Sequence, residues 1–177
     1  GFDRPGFPGM GAWVSYALGS LNDNLPTFVV LPDHRGFASN GPKNWGSGFL
    51  PASNQGTMIF PQRKTPIDDL YAAADYLTPD SERDGQNLLR SLNQTYSRQR
   101  PGDSRLDSRL RSYELAAKMQ LSAPEAFDLS KETEATLKMY GLENPGATYP
   151  AEINVPEEAE YFGRKCLIAR RLLERGV

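Results

Sequence analysis

Apolar and polar positions divide this chain into two unlike parts, with the change near residue 66. In the first part apolar residues come in short runs almost free of charge. In the second they recur every three or four residues among charged ones. The run Met10-Gly11-Ala12-Trp13-Val14-Ser15-Tyr16-Ala17-Leu18, stopped by Gly19, predicts a short helix with a C-terminal glycine. Its lack of charge implies burial. Thr27-Phe28-Val29-Val30-Leu31, bounded by Pro26 and Pro32, is a continuous β-branched and aromatic run, the pattern of a strand covered on both faces. It is the one clear strand expected. From Pro32 to Pro66 the chain is rich in Gly, Pro, Asn and Ser, which is too long for an ordinary connection; Trp45, Phe49 and Leu50 mark it as an ordered, functional loop.

Beyond residue 66 the spacing is helical. Thr78-Pro79 supplies an N-cap with proline at the first helical position, and the helix it opens runs through Leu88, Leu89 and Leu92 until Pro101-Gly102 stops it. A second helix is expected from Asp103 to about Leu121, with Leu106, Leu110, Tyr113 and Ala117 on one stripe. Ser122-Ala123-Pro124-Glu125 fits a capping box and predicts a new start there. A short helix near Lys131 to Tyr140 closes at Gly141, and residues 142–155 form a loop. Pro156 then opens a last helix with Phe162, Cys166, Ala169 and Leu173 on its apolar side, widened by Ile168 and Leu172, and Arg164, Arg171 and Arg175 on the other flank.

Composition sharpens this division. Residues 1–66 hold five Lys/Arg and three Asp/Glu, against fifteen and nineteen in residues 67–177, so the first part suits burial or ligand contact and the second solvated amphipathic helices. The whole chain of 177 residues balances 20 basic against 22 acidic side chains. That near-neutral sum argues against a general nucleic-acid binder, and no apolar run approaches the ~20 residues of a membrane span. A single cysteine, Cys166, excludes an internal disulfide and reads as a small core residue. A single histidine, His34, excludes the usual zinc sites built on several histidines.

Chemistry therefore rests on few residues. Asp33-His34-Arg35 leaves the end of the strand directly, where α/β proteins place ligand-binding groups, although a surface turn is the plainer reading of His34. Asn44, Trp45 and Gln55 are the other candidates for substrate binding: neutral amides and an indole can hydrogen-bond an ester or a sugar without fixed charge. Bracing of the long loop is their alternative role. Gly6, Gly9 and Gly11 lack the order and the preceding strand of a dinucleotide loop and read as a tight turn before a packed helix.

One predicted strand cannot satisfy its own backbone edges, so the chain is either a mostly helical domain with a small sheet or a piece of a larger α/β protein. The residues point to the second. Arg4-Pro5, Met10 to Ser20 and Asn24 to Leu31 together resemble the opening block of the bacterial family called domain of unknown function 1501. Asn44-Trp45-Gly46-Ser47-Gly48-Phe49-Leu50-Pro51 with Gln55-Gly56-Thr57 is similar to a loop of that family, Tyr113 to Ala116 with Ser122 to Glu125 and Asp128 to Ser130 to its helical insert, and Cys166 to Val177 to the helix leading into its next core strand.

The resemblance implies an α/β chain, an internal fragment of an alkaline-phosphatase-like fold in which residues 1–66 belong to the core and carry the long loop. Residues 67–155 would be a helical insert or cap, and residues 156–177 a core helix. It implies that the intact protein is a metal-dependent hydrolase of sulfate or phosphate esters, periplasmic or exported, with a divalent metal held outside this fragment. No catalytic or metal-ligating residue is carried over to this chain, which needs no cofactor of its own. A non-catalytic binding or structural protein that keeps the fold is the alternative. The partner implied is a small sulfate or phosphate ester or a sugar.

Overall fold

The computed structural model describes residues 6–33, 35–37, 39–63, 66–67, 78–101, 104–144 and 148–177. Helix α1 (Met10–Leu18) ends where predicted: Gly19 turns to a positive φ and its N–H donates to the Ser15 carbonyl at 2.9 Å. Strand β1 (Val29–Val30) is shorter than the apolar run that predicts it. It has a neighbour, β2 (Thr57–Met58), which the sequence reading assigns to loop. The two are parallel, with Val29 opposite Thr57 and Val30 opposite Met58. Thr57 N–H donates to the Phe28 carbonyl and Ile59 N–H to the Val30 carbonyl, each at 2.9 Å. Between them the chain makes two short 3-10 turns, Gly41–Trp45 and Ala52–Asn54.

Close approach explains the glycines before α1. A Cβ on Gly9 would strike the backbone of Asn44, and one on Gly11 would enter the Phe28 ring, so both let the helix start sit against the loop and the strand. The rest of α1 departs from expectation. Only Ala12 and Ser15 are buried in it, and Met10, Trp13, Val14, Tyr16 and Leu18 are exposed. An apolar run is buried only where something covers it, and among the described residues α1 packs on the two 3-10 turns by one narrow side.

Helix α2 (Pro79–Arg98) begins as predicted, with the Thr78 hydroxyl accepting from the Ser81 N–H and the Ser81 hydroxyl accepting from the Thr78 N–H. Helix α3 (Ser104–Phe127) corrects the predicted start at Ser122, because it continues without interruption through Pro124. Proline in a helix loses one backbone hydrogen bond. Here the surrounding turn is fixed from outside: Ala123 and Ala126 are fully buried, and the Arg171 guanidinium binds the carbonyls of Glu125 and Ala126 at 2.7 and 3.0 Å. Helix α4 (Glu134–Met139) has Thr133 as its cap. A wide helical turn, Val155–Glu160, then leads into α5 (Tyr161–Leu173).

The core gathers Leu25, Ile59 and Ile67 with Met119, Ala123 and Ala126 of α3 and Ile168 and Leu172 of α5; Val29 and Leu31 pack against it. Each large apolar side chain so enclosed contributes about 1.5–3 kcal/mol. The face of α5 that does this is not the predicted one. Phe162 and Leu173 are exposed and Cys166 is half-buried, whereas Gly163, Lys165, Leu167 and Arg171 join Ile168 and Leu172 inside. The rotation has a chemical cause. Both buried cations reach backbone carbonyls that no helix or strand uses, Lys165 that of Pro32 and Arg171 those of Glu125 and Ala126. The result is a mixed α and β chain with helices against a two-stranded parallel sheet.

Candidate functional site

Parallel pairing puts the C-terminal ends of β1 and β2 side by side, and charged and polar side chains collect there. After β1 the chain passes Pro32 into a turn, where the Asp33 carboxylate accepts from the Arg35 N–H at 2.9 Å. The same carboxylate takes the Arg35 guanidinium through Nε at 3.0 Å and Nη2 at 3.3 Å, and Glu158 takes Nη1 at 2.8 Å. Two carboxylates thus hold one largely exposed guanidinium in a set direction. Behind it α5 supplies Tyr161 and Lys165, one turn apart. The Lys165 ammonium donates to the Pro32 carbonyl at 2.9 Å and lies 4.2 Å from the Tyr161 ring centre. The Tyr161 hydroxyl approaches the same carbonyl at 3.5 Å and hydrogen-bonds Gln62, which follows β2. Tyr161 and Lys165 therefore tie the ends of both strands together.

Burial acts on both groups in the direction that favours neutrality. It pushes the Lys165 ammonium below the ordinary lysine value, with Asp33 and Cys166 opposing and Arg35 adding. It pushes the Tyr161 hydroxyl up, with Gln62 opposing, Asp33 adding and Arg63 opposing.

The residues singled out from sequence fall in three places. His34 lies outside the described residues. Asn44 and Trp45 border a cavity of about 450 Å³ that runs along Phe28 to Asp33 and past Gly36 and Phe37 to the charged end. There the Asn44 amide donates to the Ser39 carbonyl at 2.8 Å. Trp45 is buried, its ring edge-on to Phe37 at 5.3 Å, and its carbonyl accepts from the Gly56 N–H at 2.9 Å. Gln55 is separate from this pair. It is exposed, its N–H donates to the Ala52 carbonyl, and it borders a larger cleft of about 720 Å³ between the Ala52–Asn54 turn and α3, where Arg111 and Lys118 face it. Thus Asn44 and Trp45 share a cavity and Gln55 does not belong to it.

The family model described as "Protein of unknown function (DUF1501)" matches residues 1–177. The chain belongs to the DUF1501 family. No curated protein and no solved structure matches it. The match takes in both the loop with Asn44, Trp45 and Gln55 and the helix with Tyr161 and Lys165, so the charged end of the strand pair lies wholly within the DUF1501 segment. Among its described residues no three His, Cys, Asp or Glu side chains are grouped to hold a metal ion, and no helix is long and apolar enough to cross a membrane.

Sequence reasoning pointed to the Asp33-His34-Arg35 turn by its place after a strand, with His34 as its candidate, and did not single out Glu158, Tyr161 or Lys165. One signal was available. A lysine between Arg164 and Cys166-Leu167-Ile168 stands on the side of the helix that also carries Ile168 and Leu172, and a cation on an apolar side needs an acceptor.

Proposed function

We propose that this DUF1501 chain provides a ligand-facing wall of an alkaline-phosphatase-like α/β protein that, when intact, hydrolyses sulfate or phosphate esters with a divalent metal. The chain is read as an internal segment of that protein. The observation that carries the proposal is the gathering of Asp33, Arg35, Glu158, Tyr161 and Lys165 at the C-terminal end of a parallel strand pair, the place where open α/β sheets bind ligands. The resemblance of the ordered sequence blocks to the family supports the reaction class.

The described residues do not fit a resident metal, so no metal-dependent step is assigned to them. Their part is binding and positioning. Arg35, held by Asp33 and Glu158, places a largely exposed positive charge at this end of the strand pair, of the sign that attracts a sulfate or phosphate. Lys165 fixes the Pro32 carbonyl and with it the turn that aims Arg35. The Asn44 and Trp45 cavity beside this end is largely apolar in outline and suits the alcohol portion of an ester or a sugar.

A second reading, a binding or structural protein without catalysis, is favoured by the internal bonding of the loop: the Asn44 amide is spent on Ser39 and Trp45 is packed on Phe37. The test uses the intact protein with a panel of aryl and sugar sulfates and phosphates, assayed with and without a chelator. Turnover of one ester class that the chelator abolishes is the expected result. Binding of those esters without turnover, under every divalent metal tried, would favour the second reading. Neither turnover nor binding would overturn both.

A further inference from the structure

We propose that α2 is an interface between two copies of this protein, packed antiparallel on a two-fold axis near residue 90. This stands apart from the hydrolase reading. One side of α2 faces α3: Gln86, Leu89, Arg90 and Asn93 border the cleft shared with Leu110, Tyr113 and Ala117, and Arg90 approaches Glu114 at 3.7 Å. At about 100° per residue, Leu88 and Leu92 come out on the opposite side. They are 62% and 59% exposed, although they are large apolar side chains one turn apart. Next to them Gly85 has open space where a Cβ would be, which lets a second backbone come close.

Charge complementarity says what covers this face. The first turns of α2 carry Asp80, Glu82 and Asp84, its last residue is Arg98, and Arg100 follows two residues beyond it. On the helical net Asp80, Asp84 and Arg98 lie on one flank of the leucine pair. Glu82 lies on the other flank, where Arg100 is held by stacking 3.6 Å over the Tyr96 ring. An antiparallel copy turned about residue 90 sets Leu88 beside Leu92 of its mate. The same turn brings Arg98 of one copy between Asp80 and Asp84 of the other, and Arg100 near Glu82, each about two residues, or 3 Å, from exact register and within reach of a long arginine side chain. Both flanks then match acid with base, and the surface is complementary to itself, as a two-fold interface requires. A parallel pair would set acid against acid and base against base.

Sedimentation equilibrium of the intact protein tests this. The wild type is expected to dimerise with a Kd in the micromolar range, weakening as salt screens the flanking charges. Leu88→Asp with Leu92→Asp should give a monomer with an unchanged melting temperature, since both side chains are exposed. Asp80→Lys with Glu82→Lys and Asp84→Lys, and separately Arg98→Glu with Arg100→Glu, should each weaken self-association at least about 10-fold. An equimolar mixture of these two charge variants should restore a dimer, because each then meets its complement at both ends. A wild type that stays monomeric at roughly 100 µM, well above that range, would overturn the proposal. So would a dimer indifferent to the leucine pair, or a mixture of charge variants that fails to associate.

Discussion

Helix α1 contains no charged residue and leaves Met10, Trp13, Val14, Tyr16 and Leu18 largely in water, whereas α5 contains four Lys and Arg residues and buries two of them. Hydropathy alone would reverse that order. The difference lies in what each helix meets. Helix α1 touches two short turns that offer little area. Helix α5 meets carbonyls outside the helix and strand ladders of the described residues, at Pro32 and at the end of α3, and a buried cation is stable where such acceptors converge on it. Its apolar residues Leu167, Ile168 and Leu172 then follow those anchors into the core.

The largest effect that should separate the two helices is at Arg171. Its guanidinium joins Glu132, the Glu125 carbonyl and the Ala126 carbonyl, and the Arg171–Glu132 pair is nearly enclosed. Arg171→Ala strands all three, so denaturant unfolding should show a loss of about 3–5 kcal/mol. A loss near that of a surface change would mean that the apolar contacts of α5 hold it without the cation.

Lys165 sharpens the comparison through pH. Its folded-state proton is held more weakly than the ordinary lysine value of 10.5, chiefly because burial penalises the charged form. Below the folded pKa that penalty is present in full. As pH rises from there toward 10.5 the unfolded chain still holds the proton and the native one does not, so stability rises. The stability of the wild type relative to Lys165→Met should therefore increase through this alkaline window. Tyr161, whose shift has the opposite effect at higher pH, is present in both proteins and cancels to first order. A flat or falling difference would show that the ammonium is as well solvated as a surface lysine.

The smallest effect is expected on α1. Val14→Ser and Leu18→Ser remove apolar area that is already in water, so unfolding of the 177-residue chain should shift by no more than about 0.5 kcal/mol. In the intact protein the same changes should cost clearly more if further parts of the chain cover this helix. Equal, small effects in both would make α1 a surface helix in its own right.

These contrasts also mark what could be read in advance. Local signals were legible: Gly19 ends α1, and Thr78 with Pro79 opens α2. Strand β1 was legible from its β-branched run, narrowed to Val29 and Val30. Strand β2 was not, because Thr57 and Met58 are too short to show a period and depend on β1 for their hydrogen bonds. The continuity of α3 through Pro124 was hidden because the last turn of the helix is held by contacts distant in sequence, among them Arg171 on the carbonyls of Glu125 and Ala126. At the candidate site the turn after β1 was legible from topology, while Tyr161 and Lys165 were not, since their meaning depends on a carbonyl contributed by Pro32.

The claim that the charged end of the strand pair faces the ligand in the intact protein is tested most directly by steady-state kinetics, per folded molecule, on Arg35→Gln beside Gln55→Ala. Arg35 stands at that end and Gln55 borders the other cleft. With an ester turned over as the proposed function expects, Arg35→Gln should lower kcat/KM at least about 10-fold with little change in melting temperature, and Gln55→Ala should lower it far less. An Arg35→Gln protein with full activity, or one whose only change is a lower melting temperature, would contradict the account.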